Sequence, residues 1–173
     1  MTESTGAAGN TLGADFPREG RVIGIDYGTK RVGVAISDQY QKIASPLHNY
    51  QRHSRLADEH FYRSAAREYE AVGLVVGLPV HMSGEESQKS GEARKYAAWL
   101  SKVTKLPVGF QDERYSSVQA EALMMQANLS PQQRHARIDM MAAQILLQEF
   151  MDRRAEETAA DTPPLNPPPQ AVQ

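Results

Sequence analysis

The segment GIDYGTKRVGVAISD, residues 24–38, limits the fold more than any other part of the sequence. Two runs rich in β-branched residues, Arg21 to Asp26 and Arg31 to Ser37, lie on either side of Gly28. A glycine there supplies turn dihedral angles that a side chain resists, so the pattern predicts an antiparallel hairpin. Asp26 ends the first run, where a carboxylate gains nothing from packing and strand propensity disfavours it. Asp26 is therefore the first candidate functional residue, and an Asx turn is the alternative.

After the hairpin, strand patterns alternate with helix patterns. A third strand is expected from Lys42 to Asn49, at a sheet edge because Pro46 interrupts it. The remaining predicted elements are a helix from Ser54 to Glu70, a buried strand from Val72 to Gly77, a helix with its stripe at Ala93, Tyr96, Ala97, Leu100 and Val103, a strand from Leu106 to Gln111, and helical composition from about Ser117. This order predicts an α/β fold with a five-stranded mixed sheet, three antiparallel strands followed by two parallel strands, flanked by helices.

The first and last helices also carry apolar stripes that predict their buried faces. In the first helix the stripe is Leu56, His60, Phe61, Ala65 and Tyr69, and in the last helix it is Ile138, Met141, Ala142, Ile145 and Leu146. Ser130-Pro131 marks the start of the last helix or a turn before it. Asp139 follows Ile138, so a rotation of about 100° places its carboxylate beside the buried face. The alternative for Asp139 is a first-turn aspartate favoured by the helix dipole.

Length and composition predict one soluble domain with two tails. Residues 1–20 lack hydrophobic periodicity and residues 155–173 are rich in proline, so both are expected to be disordered, and residues 21–154 are expected to form the domain. The predicted domain holds 18 Lys and Arg against 15 Asp and Glu. The absence of cysteine excludes disulfides and thiolate chemistry, and no signal peptide or membrane-spanning run is present. We expect a cytoplasmic protein, a monomer by default with a dimer as the alternative.

Four strings carry a resemblance to a known family. GIDYGTKRVGVAISD, VVGLP, DERYSS and RIDMMAAQILLQEF occur in this order between about residues 21 and 152. Together they resemble the YqgF family, also called the Holliday junction resolvase-like or pre-16S ribosomal RNA nuclease family. The resemblance implies an RNase H-like fold, in which acids from separate elements converge on divalent metal, Mg²⁺ or Mn²⁺.

On this resemblance the catalytic and metal-binding acids are Asp26, Glu113 and Asp139. Hard cations prefer carboxylate oxygen, and a metal-assisted hydrolysis needs an activated water and neutralised charge on both oxygens of the reacting phosphate. Glu113 must reach from one strand further out, because Gly77-Leu78-Pro79 on the neighbouring strand offers no carboxylate. Asp112 is the alternative, and so is a structural motif in which Arg114 pairs with the acids.

The expected ligand is nucleic acid, with precursor rRNA favoured and branched DNA as the alternative. Lys30, Arg31, His81 and Arg114 are the expected contacts, since cations bind phosphate without reading sequence and histidine can donate a hydrogen bond. His81 stands where the family more often has asparagine. The function that this predicts is a metal-dependent nuclease in 5′-end processing of the 16S rRNA precursor.

Two other classes of protein share part of this pattern. Actin-like phosphotransferases also carry an Asp-x-Gly-Thr hairpin, but they have a second Asp-x-Gly hairpin that this chain lacks. A non-catalytic nucleic-acid-binding module of the same fold is the other alternative. Mn²⁺ binding by the native protein and its loss in Asp26→Asn distinguish the nuclease from that module.

Overall fold

A five-stranded mixed sheet with helices on both faces forms the centre of the protein. The structure, a computed structural model, describes residues 16–79, 88–112 and 130–160. Its elements are β1 Val22–Asp26, β2 Arg31–Ser37, β3 Ala44–Gln51, α1 Arg55–Glu68, β4 Gly73–Leu78, α2 Gln88–Thr104, β5 Val108–Asp112 and α3 Pro131–Ala160. The strand order is β3-β2-β1-β4-β5, in which β1, β2 and β3 are antiparallel and β4 and β5 run parallel to β1. This confirms the expected RNase H-like arrangement; the helix expected from Ser117 lies outside the described residues.

The predicted hairpin is confirmed, but its glycine serves a different purpose from the expected one. β1 pairs with β2 so that Asp26 lies opposite Gly33. Gly28 does not have a positive φ; instead, a Cβ at Gly28 would overlap the carbonyl oxygen of Arg31. The turn is therefore too tight for a side chain at Gly28, although Gly28 does not need a positive φ. β3 is an edge strand, as Pro46 predicted, and the pairing register shifts beside that proline.

Strand alternation gives the sheet two different apolar faces. Ile23 and Ile25 of β1 pack with the buried side chains of α1 and α2. Val22 and Val75 belong to the other cluster, which includes Leu147 and Phe150 of α3. We call these the α1/α2 face and the α3 face. Because both faces are covered, β1 and β4 are almost continuously buried.

The predicted buried face of α1 is only partly confirmed. Ala65 is buried, and Phe61 and Tyr69 are partly buried against the core, as expected. Leu56 is 76% exposed and His60 is also exposed, whereas Asp58 and Tyr62, which lie outside the predicted stripe, are buried. The difference arises at Asp58, because a carboxylate that accepts several hydrogen bonds can be buried at a position where helical periodicity predicts an apolar residue. The stripe of α2, in contrast, is buried as expected.

α3 begins at a capping box and extends beyond the predicted domain edge. The Ser130 hydroxyl accepts from the amide of Gln133 at 3.3 Å, and the Gln133 side chain accepts from the Ser130 amide at 3.2 Å. The buried stripe of α3 is centred on Ala143 and Leu147, so Met141 and Ile145 of the predicted stripe are only partly buried. None of the helices in the described residues is long and apolar enough to cross a membrane.

Packing begins before the expected start of the 21–154 domain, whereas residues 155–160 at the end of α3 are exposed. Phe16 is buried against Phe150, with ring centroids 5.4 Å apart. The guanidinium of Arg154 donates to the carbonyls of Phe16 and Pro17 at 2.9 and 2.8 Å, which fastens the segment before β1 to α3.

Candidate active site at the end of the first strand

Asp26 is the last residue of β1 and lies on the α3 face of the sheet. Gly24, two residues earlier on the same side of the strand, lies directly beneath α3, since a Cβ there would come within 2.8 Å of Leu147 Cβ. Alternation then turns the Asp26 side chain towards α3 and that of Tyr27 towards the α1/α2 face. Asp26 is partly buried.

Gly33 allows Asp139 of α3 to lie close to the end of β1, where Asp26 is found. Gly33 lies opposite Asp26 in the hairpin, and an added Cβ on Gly33 would overlap the carbonyl group of Asp139. Paired residues of an antiparallel ladder have Cα atoms about 4.5–5.5 Å apart. Asp26 and Asp139 therefore flank a single residue, Gly33, one beside it in the sheet and the other above it on the helix.

Asp139 lies well inside α3, which removes the helix-dipole alternative. The helix begins at Pro131, so Asp139 is in the third turn, whereas the dipole acts only within the first turn. Its carboxylate Oδ2 accepts from Arg31 Nε at 3.1 Å, and the side chains of Arg31 and Asp139 are 50% and 25% exposed. The candidate acid thus has a cationic neighbour on the hairpin and an open side towards solvent.

The hairpin that carries these residues is held from the α1/α2 side by a buried carboxylate. The backbone amide of Arg52 donates to the Lys30 carbonyl at 2.9 Å, which joins the end of β3 to the hairpin turn. Asp58 is 2% exposed and accepts from Tyr50 Oη at 2.9 Å, Arg52 Nε at 3.1 Å and the His53 amide at 3.2 Å.

The pKa values of this network follow from burial and hydrogen bonding. Burial raises the pKa of Asp58, but the hydrogen bonds from Tyr50, His53 and Arg52 outweigh it, so the net pKa lies below the ordinary value. Burial and the bond to Asp58 raise the pKa of Tyr50 to about 12. Asp58 therefore stays ionised and Tyr50 stays protonated at neutral pH. Sequence periodicity missed this network, whose one signal was an acid in the first turn of an amphipathic helix.

The end of β5 contributes a second, separate acidic region. Asp112 pairs with Leu78 at the end of β4, two strands away from β1. Burial, and next the negative charge of Asp112, raise the pKa of Glu149 on α3. Asp112 thus raises the pKa of Glu149, a residue that no sequence pattern singled out. Glu113, Arg114 and His81, all expected at the site, lie outside the described residues.

The donor set suits a hard divalent cation. Asp26 of β1 and Asp139 of α3 offer carboxylate oxygens on the same side of the β1–β2 hairpin. Mg²⁺ commonly uses one or two protein carboxylates together with water. Within residues 16–79, 88–112 and 130–160, no three side chains of the metal-binding types form a group that could hold a metal ion. The predicted third acid, Glu113, would have to complete the set from outside these ranges.

Comparison with known proteins gives the relatives of this chain. The family model RuvX, described as "Holliday junction resolvase", matches residues 20–153. A protein of Rhodopirellula baltica named "Putative pre-16S rRNA nuclease" is 41% identical over 137 residues, 79% of each chain. A protein of Cereibacter sphaeroides with the same name is 42% identical over 140 residues, which cover 81% of this chain and 88% of the relative.

Two solved structures are similar at low identity. Thermus thermophilus RuvC in complex with Holliday junction substrate is 17% identical, covers 79% of this chain and 96% of that chain, and gives a TM-score of 0.48. The fowlpox virus resolvase in complex with Holliday junction DNA is 12% identical, covers 78% of this chain and 98% of that chain, and gives a TM-score of 0.49.

Proposed function

Because the chain belongs to the RuvX (YqgF) family of Holliday junction resolvases, we propose that it is a nuclease that depends on divalent metal. The observation that carries the proposal is the placement of Asp26 and Asp139 on either side of Gly33. Two carboxylates at one rim of a sheet, with an exposed arginine beside them, suit phosphodiester chemistry. Family membership also speaks against the actin-like phosphotransferase alternative.

In this proposal Asp26, Asp139 and Glu113 hold the metal. A bound Mg²⁺ or Mn²⁺ supplies an activated water and neutralises charge on the attacking and leaving oxygens. Asp26 is fixed by the strand ladder and Asp139 by the helix that rests on Gly33, so little reorganisation is needed when the substrate arrives. Glu113 is assigned from the family motif and Asp112 remains its alternative.

The hairpin turn supplies the cations for the phosphate backbone. Arg31 neutralises Asp139 in the structure at 3.1 Å, and half of its side chain is exposed. With Asp139 ligating a metal, Arg31 would be free to bind a phosphate oxygen, for which its planar fork is suited. Lys30 lies next to it in the exposed turn. His81 and Arg114 complete the proposed set of nucleic-acid contacts.

The proposed substrate is the 5′ region of the 16S rRNA precursor. The support is the name shared by relatives at about 41% identity, "pre-16S rRNA nuclease". We expect purified protein with Mn²⁺ to shorten a precursor transcript, and Asp26→Asn to leave it intact. Lys102→Ala, an exposed change on α2, is the matched control and should cut normally.

Resolution of branched DNA is the second candidate, because the family description names Holliday junctions. The same assay includes a four-way DNA junction. If the protein leaves the precursor RNA uncut but cuts the junction, the RNA assignment is wrong and the DNA assignment replaces it. If neither is cut although Mn²⁺ is present, the chain is a non-catalytic member of the fold.

A further inference from the structure

A cavity of about 480 Å³ lies on the α1/α2 side of the sheet, next to the end of β1. This volume falls within the range of about 300–1,000 Å³ that is typical of small-ligand sites. Lys30 and Arg31, the expected nucleic-acid contacts that the described residues include, do not line it. The side chains that matter here are Tyr27, Arg52, Asp58, Lys95, Tyr96 and Trp99.

We propose that this cavity binds an unpaired nucleotide of the substrate strand. The inference rests on the proposed function for its ligand, a nucleic acid, and adds a specificity: the strand must offer a base that is not paired. Three observations support the proposal. They are the aromatic side chains of the cavity walls, the orientation of Arg52 by Asp58, and the position of the cavity beside Asp26.

The walls of the cavity are aromatic. The rings of Tyr27 and Tyr96 have centroids 4.5 Å apart, and those of Tyr96 and Trp99 are 5.3 Å apart. Bases stack on such rings whatever their identity, because every base has a π-face. Tyr96 is itself fixed by a hydrogen bond of 2.6 Å between its hydroxyl and that of Tyr62. The aromatic wall is therefore held in place before a ligand arrives.

Arg52 adds a fixed cation to this wall. Its Nε donates to Asp58 at 3.1 Å, and its guanidinium carbon lies 5.7 Å from the Tyr27 ring centroid and 5.1 Å from that of Tyr96. Within the described part of the chain its terminal nitrogens donate no hydrogen bond, and the side chain is 26% exposed. A guanidinium oriented in this way suits a phosphate oxygen or a base edge. Lys95, which is exposed, adds a further positive charge at the rim.

The cavity and the acidic site share the rim of the sheet. Asp26 and Tyr27 are consecutive, with Cα atoms about 3.8 Å apart, and alternation directs them to opposite faces. A strand that crosses this rim places one phosphate near Asp26 and a neighbouring base over Tyr27. Bases within a duplex are stacked and paired, so only a single-stranded or extruded nucleotide enters.

Trp99 permits a direct test, because it is the only tryptophan in the chain. Native protein in EDTA is titrated with a five-nucleotide single strand, as RNA and as DNA, while Trp99 fluorescence is recorded. The comparisons are a blunt duplex that contains this sequence and is long enough to stay paired, and an abasic strand with the same phosphates. Working without metal separates binding from cleavage.

We expect saturable quenching by a single strand of either sugar type, with affinity at least about fivefold weaker for the duplex and for the abasic strand. Tyr27→Ala should weaken binding by at least about fivefold, the lower end of base–aromatic stacking. Lys95→Ala, an exposed change that leaves the fold unaltered, should weaken it about two- to fivefold, and Lys102→Ala on the same helix should have no effect.

Several results overturn the inference. These are the absence of saturable quenching, equal affinity for the abasic strand, or native affinity in both Tyr27→Ala and Lys95→Ala. Cleavage with Mn²⁺ is scored separately. If the protein cleaves RNA but the cavity variants bind the strand normally, only the nucleotide-binding role of the cavity is refuted. If binding depends on the cavity but no substrate is cleaved, only the proposed nuclease activity is refuted.

Discussion

Gly33→Ala is the substitution that most sharply tests how the fold makes the site. An added Cβ overlaps the carbonyl carbon and oxygen of Asp139 and lies 3.1 Å from the Met140 amide. Since non-bonded heavy atoms rest about 3.5 Å apart, the start of α3 must retreat from β2 by at least about 1 Å. Overpacking of this kind costs about 1–3 kcal/mol of unfolding free energy. The retreat also separates Asp139 from Asp26, and a misplacement of about 1 Å costs about 100-fold in rate.

The assay combines urea unfolding with RNA cleavage at saturating Mn²⁺, measured at a temperature where the variant retains its native circular dichroism. Gly91→Ala is the matched control, because a Cβ there meets nothing within 4 Å. A glycine-to-alanine change inside a helix should stabilise the protein by about 0.5–1 kcal/mol and leave activity unchanged. Native stability together with native cleavage in Gly33→Ala would refute the proposed placement of Asp139.

The further predictions concern three charged residues, Arg31, Asp58 and Glu149. Arg31→Ala should change the unfolding free energy by less than about 1 kcal/mol, since the pair is exposed, yet raise Mn²⁺ affinity about three- to tenfold in calorimetry by removing a nearby cation. Asp58→Asn should destabilise the protein by about 2 kcal/mol or more in urea unfolding, because Arg52 loses its partner; a smaller loss would contradict the buried network. Because the pKa of Asp58 is lowered from 3.8, native stability should fall as the pH drops below 3.8, and Asp58→Asn should reduce that fall. The raised pKa of Glu149 has the opposite sign, so in metal-free buffer Glu149→Gln should lessen the loss of stability between acidic and neutral pH.

The parts of the fold that depend on local pattern could be read from the sequence. The hairpin, the edge position of β3 and the mixed character of the sheet follow from β-rich runs, a proline and alternating helices. The position of Asp139 beside the buried face follows from helical rotation. In each case the neighbours in sequence decide the outcome.

The features that the sequence did not predict depend on contacts between different elements of the fold. Asp58 is buried because Tyr50 and Arg52, which precede α1, donate to it, and no periodicity within α1 contains that information. The sequence does not distinguish Gly33 from any other strand glycine, because its role depends on the contact with α3. Tyr27 and Tyr96 meet only when α2 packs on the sheet, so the cavity has no signature in sequence.

Isothermal titration with Mn²⁺ tests the central claim most directly. The native protein should bind Mn²⁺, and Asp26→Asn and Asp139→Asn should each weaken binding by at least about tenfold, since each removes one carboxylate ligand. Lys102→Ala should bind as the native protein does. Absence of binding in the native protein, or unchanged affinity in Asp26→Asn, would contradict the account of a metal-dependent nuclease site at the end of β1.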